Sequence, residues 1–256
     1  KNSTGLEKNF TVFGASYADS QMTDANFKEI SSSGADKDYI KEYIEIDVTD
    51  TNNLSFKLFA WDSLQNLTPI NDIKIEYPVL GEEYVRFLGR GEQIGDGRTF
   101  NWPNAGFEFE FTGETAEVFA TESKNDSATY DGSYFTMAVY NDDELVRTER
   151  MKLCAGWNTI YTEEANDPDE KTIMLVRSSE ACKGTLAISK VKCDTLPIPT
   201  EKKVKQIEFI GDSYTAGYGN SPHLSESTSY CAQNTDNWNS YTGIVSRHYG
   251  ADNTVI

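Results

Sequence analysis

The chain is poor in histidine, cysteine and basic residues, and it has no long hydrophobic run. Among 256 residues there are 2 histidines and 4 cysteines, and 23 basic side chains face 41 acidic ones, for a formal charge of −18. A chain this acidic would be repelled by phosphate backbones and anionic lipid, so nucleic acids and membrane surfaces are poor partners. The hydrophobic runs fall far short of the ~20 residues of a spanning helix, which argues against a transmembrane segment. We expect a protein that acts on neutral material.

The few cysteines also argue against a metal site. Cys154, Cys182, Cys193 and Cys231 form no CxxC pair and have no zinc-ligand spacing, so we predict no metal. Their pairing stays open, because disulfides suit a secreted protein whereas buried thiols need no partner. The chain begins at Lys1 without a signal-peptide pattern, so we expect a removed leader or a piece of a longer polypeptide.

The residues that are present have a globular composition arranged in β-rich blocks. Hydrophobic residues make up 38% and aromatic residues 12%, which is more than a disordered chain carries. In residues 1–76, the runs Tyr43–Val48 and Leu54–Trp61 have the apolar–polar alternation of half-buried strands. Phe59–Leu64 resembles a stretch of the accessory β-modules of bacterial polysaccharide-degrading proteins. We predict a small Ig-like accessory β-sandwich over residues 1–76.

Residues 77–199 form a second block of predicted strands. The run Gly106–Gly113 alternates strictly and therefore places three phenylalanines on one face and two glutamates, Glu108 and Glu110, on the other. We interpret these glutamates as a solvated surface rather than a catalytic pair. Further strands are predicted at Glu117–Thr121, Tyr134–Tyr140, Trp157–Tyr161, Thr172–Val176 and Thr185–Val191. Their number and spacing predict a jelly-roll β-sandwich.

The character of the chain changes after a predicted linker at Leu196–Lys203. Lys205–Ile210 is predicted to be a strand, and Gly211-Asp212-Ser213 follows it directly. A glycine-led turn from a strand into a helix presents a serine hydroxyl, and the serine amide together with helix N–H groups suits a developing oxyanion. The G-x-S-x-G elbow is incomplete, because Thr215 stands where its second glycine would be. We predict Ser213 as a nucleophile.

Gly211–Thr215, followed by Gly217-Tyr218-Gly219, resembles the first block of the SGNH (GDSL-type) hydrolases. With a jelly roll before it, this order resembles carbohydrate esterase family 2, whose members remove acetyl groups from xylan and related glycans. Asn101–Phe109 is similar to the start of that family's jelly-roll core, and Asn239–Val245 to its next helix. The resemblance implies a mostly β chain: a small β-sandwich module, a jelly-roll β-sandwich, and the start of an α/β SGNH hydrolase domain over residues 204–256.

The resemblance assigns roles only where residues match. Ser213 matches the nucleophile and its amide matches one oxyanion donor, while Gly211 and Asp212 match the residues that support the turn. The family's other oxyanion donors and its base histidine lie further downstream. Neither histidine is a strong substitute, because His223 lies in a polar loop and His248 fits a helix C-terminal cation. We therefore expect the catalytic base and acid to lie beyond the last residue, and the chain alone to show almost no turnover.

Two functions from different classes fit the sequence. The first is a serine esterase that removes O-acetyl groups from plant cell-wall polysaccharides such as xylan, without a metal or organic cofactor. The second is a non-catalytic carbohydrate-binding or spacer array of β-modules. Trp238 and Trp102 are candidates for substrate contact, whereas Trp61 and Trp157 are predicted to be core residues. The expected partners are acetylated polysaccharide or oligosaccharide and further domains of a longer polypeptide, and the expected location is extracellular.

Overall fold

The computed structural model describes residues 8–18, 21–32, 44–46, 55–61, 75–79, 81–124, 132–163, 170–180, 184–221 and 232–256. The chain divides into two compact units, Lys1–Lys74 and Ile75–Ile256. The first unit contains the strands β1 (Lys8–Ala18), β2 (Gln21–Ser32) and β3 (Ser55–Trp61). The second contains β4 (Ile75–Pro78), β5 (Arg86–Leu88), β6 (Glu92–Ile94), β7 (Gly97–Thr99), β8 (Gly106–Thr112), β9 (Thr115–Lys124), β10 (Ser133–Asn141), β11 (Glu144–Leu153), β12 (Gly156–Thr162), β13 (Glu170–Arg177), β14 (Gly184–Cys193), β15 (Lys205–Phe209), helix α1 (Tyr241–Tyr249) and β16 (Ala251–Val255).

The described part of the first unit is a three-stranded antiparallel sheet in the order β2-β1-β3. Phe13 lies opposite Phe27 on one side and Phe59 on the other, and the rings of Phe13 and Phe59 are 6.1 Å apart. Such cross-strand aromatic pairs stabilise a sheet. Of the strand predicted at Tyr43–Val48, residues 44–46 have irregular backbone and the remainder lies outside the described residues.

The second unit begins with two antiparallel sheets that pack into the predicted sandwich. One has the order β11-β10-β13-β8-β5, and the other has the order β12-β9-β14-β7-β6 with β4 also paired to β14. Both sheets contribute to a single hydrophobic core, in which the side chains of Phe107, Phe109, Ile173, Leu186 and Ile188 are fully buried. Burying side chains of this size contributes roughly 1.5–3 kcal/mol each, so this core stabilises the sandwich strongly.

The opposite face of β8 differs from the sequence-based expectation. Glu108 is only 4% exposed, so its interpretation as a solvated surface residue is wrong. The Thr200 hydroxyl donates to Glu108, and the Arg86 guanidinium forms an ion pair with it. Glu110 is half-buried, and its backbone N–H and C=O pair with Ile198 at 2.8 and 2.9 Å. The predicted linker therefore lies along the sandwich and covers this face.

The last part of the chain has the α/β character that the sequence predicts. β15 and β16 are parallel, with Lys205 opposite Ala251 and Phe209 opposite Val255. Helix α1 precedes β16 and is capped by Gly250, whose φ of 57° is left-handed and whose N–H bonds back to the last turn. The parallel pair and the helix make the beginning of an α/β domain joined to the β-sandwich.

Candidate active site

The turn that follows β15 is fixed by the neighbouring strand. Gly211 N donates to Ile256 O at 3.0 Å, and Ile256 N donates to Phe209 O at 2.8 Å. These bonds continue the parallel pairing as far as the residue before Asp212. A Cβ atom at Gly211 would lie 2.0 Å from Thr215 Oγ1, so only glycine fits at this position without a shift of the turn.

Ser213 is exposed in a tight turn, and most hydrogen bonds of this turn join residues within it. Asp212 Oδ1 accepts from Tyr214 N at 3.0 Å, and Asp212 O accepts from Ala216 N at 3.1 Å. Ser213 O accepts from Tyr218 N at 2.8 Å, whereas Ser213 N donates to no backbone carbonyl among the described residues. Within the described residues, neither the hydroxyl nor the amide of this exposed serine has a hydrogen-bond partner.

A second segment packs against this turn, and sequence reasoning missed its role. Asn237 Nδ2 donates to Thr215 O at 2.7 Å, and the Tyr241 hydroxyl lies 2.8 Å from Thr215 Oγ1. Asp236 N donates to Gly217 O at 3.0 Å. At Gly217, φ is +83° and a Cβ would lie 2.5 Å from Asp236 O, so this glycine is needed for the close approach. The sequence marks this segment only by the candidate Trp238 and by the run Asn239–Val245 that resembles a helix of the family, and neither feature predicts these contacts.

The structure places the two predicted substrate-contact tryptophans differently. Trp102 is 41% exposed, while Trp238 is 7% exposed and packs with Leu88, Ala138 and Val176 of the sandwich. The Arg247 guanidinium lies 4.0 Å from the centre of the Trp238 ring. Substrate contact by either tryptophan stays a prediction.

The two tryptophans predicted to be core residues have different outcomes. The expectation is wrong for Trp157, which is 36% exposed because it lies on the outer face of β12. Lys192 Nζ lies 4.1 Å from the centre of its ring. The side chain of Trp61 lies outside those that the structure describes.

Among the residues that the structure describes, none is placed as a base for Ser213. His223 lies outside the described residues, and His248 is exposed in the last turn of α1 beside Tyr249. Among the cysteines, Cys154 is exposed and Cys193 is buried, while the other two lie outside the described part. Within the residues that the structure describes, no three acidic, histidine or cysteine side chains are grouped to hold a metal ion. No helix in the described ranges is long and apolar enough to cross a membrane.

A cavity of about 430 Å³ lies between the sandwich and the parallel strands. It is lined by Phe87 and Gly89 from the sandwich and by Gln206, Glu208 and Asn253 from the strand pair. Its lining mixes charged, amide and aromatic groups and contains none of the residues of the Ser213 turn. The Ser213 turn therefore does not line this cavity.

These features define a class of protein: a two-sheet β-sandwich fused to an α/β segment, in which an exposed serine turn follows the first strand. Residues 87–199 match the family model described as Carbohydrate esterase 2 N-terminal. This part of the chain is therefore similar to the N-terminal domain of carbohydrate esterase family 2. A comparison with curated proteins finds no match.

Solved structures of that family have a similar fold. A family two carbohydrate esterase from Cellvibrio japonicus is 14% identical with a TM-score of 0.59, over 72% of this chain and 52% of its own. An acetyl xylan esterase from the rumen bacterium Butyrivibrio proteoclasticus is 16% identical with the same TM-score, over 72% and 48%. A family 2 enzyme with a carbohydrate binding domain, from Corynascus thermopiles (Myceliophthora fergusii), is 26% identical with a TM-score of 0.54, over 67% and 48%. The chain spans about half the length of these structures.

Proposed function

We propose that the complete protein is a serine esterase that removes O-acetyl groups from polysaccharide, with Ser213 as its nucleophile. The observation that carries this proposal is the exposed serine at the end of β15, with its amide unengaged by any described backbone carbonyl. The family match over residues 87–199 supports the carbohydrate esterase class. The similarity to an acetyl xylan esterase supports acetylated xylan as the substrate.

In the proposed reaction, Ser213 Oγ attacks the acetyl carbonyl carbon while a base accepts its proton. The Ser213 amide then donates to the oxyanion of the tetrahedral intermediate, a contact typically worth about 3 kcal/mol of barrier. Collapse of the intermediate expels the sugar oxygen, which takes the proton back, and leaves an acetyl-serine that water hydrolyses. The steps need neither a metal nor an organic cofactor. We assign the base to neither His223 nor His248.

A second candidate function is glycan binding without catalysis. The observation that favours it is the exposure of two sandwich tryptophans, Trp102 at 41% and Trp157 at 36%. Flat aromatic rings of this kind can stack on the apolar faces of sugar rings. An extracellular location belongs to both proposals, because polysaccharide is the ligand in each.

The test is ester hydrolysis by the complete gene product that contains these residues. With para-nitrophenyl acetate and acetylated xylan as substrates, Ser213→Ala should lower kcat by about a thousandfold or more. Ser31→Ala, which removes an exposed hydroxyl bonded to Asn9, is the control and should leave kcat unchanged. Equal rates for Ser213→Ala and the parent would overturn the esterase proposal. Retention of Ser213→Ala on insoluble xylan would then favour glycan binding alone.

A further inference from the structure

We infer that Arg150, a residue of the jelly-roll domain, is a positioning residue for the Ser213 turn; this inference rests on the proposed function of Ser213. Arg150 lies on β11, an outer strand of the five-stranded sheet. Its Nη2 donates to Ala232 O at 3.0 Å and to Thr235 O at 2.8 Å. One guanidinium of the sandwich therefore holds both ends of the short stretch 232–235.

The arginine is itself held in one orientation. Its guanidinium carbon lies 4.5 Å from the centre of the Tyr134 ring on the neighbouring strand β10. The planar guanidinium loses little freedom when it forms several hydrogen bonds, because its donors are already fixed relative to one another. A flexible lysine at this position would keep the charge but would lose the stacking and the fixed direction of the donors.

The stretch that Arg150 holds continues into the residues that pack against the nucleophile turn. Thr235 pairs with Tyr218 in an isolated antiparallel bridge, and Tyr218 N donates to Ser213 O. The path from the sandwich to the serine is therefore Arg150 to Thr235, Thr235 to Tyr218, and Tyr218 to Ser213. Only one of its links, the first, uses a side chain.

Two further contacts tie the same segment to the sandwich. Asn237 N donates to Ser178 O at 3.0 Å, and the Trp238 side chain is buried in a cluster of sandwich residues. On its other side, Asn237 holds Thr215 O through Nδ2. In this geometry, residues of the jelly-roll domain support the proposed esterase site. A shift of about 1 Å in a reacting group can lower a rate by about a hundredfold.

The test compares Arg150→Ala, Arg150→Lys and Arg147→Ala in the complete gene product. Arg147 is the control, because it lies on the same strand and bonds to Thr162 and Glu149 of the sandwich. Arg150→Ala should lower kcat for para-nitrophenyl acetate by about ten- to a hundredfold with KM changed less than about twofold. Arg150→Lys should recover part of the loss, and Arg147→Ala should match the parent.

Amide hydrogen exchange tests the positioning without reference to catalysis. Arg150→Ala should speed exchange at Gly217, Tyr218 and Asp236 relative to the parent and to Arg147→Ala, while β13 stays protected. Unchanged exchange at these amides, or a parental kcat in folded Arg150→Ala, would overturn the inference even if Ser213→Ala is inactive. If Arg150→Ala does not fold, Arg150→Lys tests the inference instead. A kcat of Arg150→Lys equal to that of the parent then counts against the inference.

Discussion

Arg86 Nη1 lies 2.7 Å from Asp252 Oδ2, and this ion pair joins the β-sandwich to the parallel strands of the α/β segment. Arg86 Nη2 also donates to Asp252 Oδ1 at 3.1 Å, so the contact is bidentate. Burial lowers the pKa of Arg86, but hydrogen bonds and charges from Asp252 and Glu108 outweigh it and raise the pKa overall. Arg86 therefore stays charged between two largely buried carboxylates.

Arg86→Ala should lower the free energy of unfolding by about 3–5 kcal/mol, because it leaves the Glu108 and Asp252 carboxylates without their cation. The control is Arg90→Ala, which breaks an ion pair with Glu208 between the same two parts of the chain. The side chains of that pair are 50% and 52% exposed, so the loss should be at most about 1 kcal/mol. Urea denaturation measures both, and equal losses would contradict the prediction.

Glu110→Gln should stabilise the protein at neutral pH. Burial, followed by the charges of Glu170 and Glu108, raises the pKa of Glu110 in the folded state. The folded state thus holds the proton more tightly than the unfolded state, and stability falls as pH rises from the ordinary pKa through the raised one. The gain from Glu110→Gln should therefore be present at neutral pH and should shrink towards about pH 4.

Urea denaturation at both pH values measures this gain. Glu92→Gln removes the same charge from an exposed side chain and serves as the control. A gain for Glu110→Gln that is as large near pH 4 as at neutral pH would show that the raised pKa is not its cause.

Alanine at the two glycines after the serine turn should have unequal effects. Both have left-handed backbone, with φ of +83° at Gly217 and +70° at Gly219, which costs an alanine about 1–2 kcal/mol. Only Gly217 faces a close contact, because its Cβ would lie 2.5 Å from Asp236 O whereas that of Gly219 meets nothing within 4 Å. Gly217→Ala should lose more stability and more esterase activity than Gly219→Ala, as urea denaturation and kcat will show. Similar losses would mean that backbone conformation alone matters.

Alanine substitutions of the two candidate tryptophans should have different effects, one on stability and the other on substrate binding. Trp238→Ala should lower the free energy of unfolding by about 3–5 kcal/mol, because it empties a buried site against Leu88 and Val176. Trp102→Ala should leave stability almost unchanged, because this side chain is 41% exposed, and should raise KM for acetylated xylan. Urea denaturation measures the stability of both variants, and kinetics with acetylated xylan measure KM. An unchanged KM for Trp102→Ala would contradict a role of Trp102 in substrate contact.

The features that the sequence predicted correctly depend on local patterns. Strict alternation over Gly106–Thr112 identified Phe107, Phe109 and Phe111 as core residues, because a strand has a period of two. The strand before Gly211 follows in the same way from a short hydrophobic run that ends at a glycine, whereas the helix near Asn239 is implied by the resemblance to the family.

The features that it missed depend on contacts between distant parts of the chain. Alternation places Glu108 opposite the core, but it does not reveal that Arg86 and Thr200 cover that face. Strand β11 is absent from the prediction because it is an outer strand, with Leu145 at 40% and Val146 at 52% exposure and polar residues on both faces. The link from Arg150 to the serine turn ends on backbone carbonyls, which any sequence provides.

The bridge between Glu110 and Ile198 has a consequence for self-association. β5 covers the edge of β8 only between Gly106 and Glu108, so Glu110 would present free backbone groups to a neighbouring molecule. Exposed strand edges invite strand addition from other copies and then aggregation. The segment that connects the two domains covers this strand edge through Ile198. A substitution that loosens the segment would expose the edge and promote aggregation of a protein that is otherwise folded.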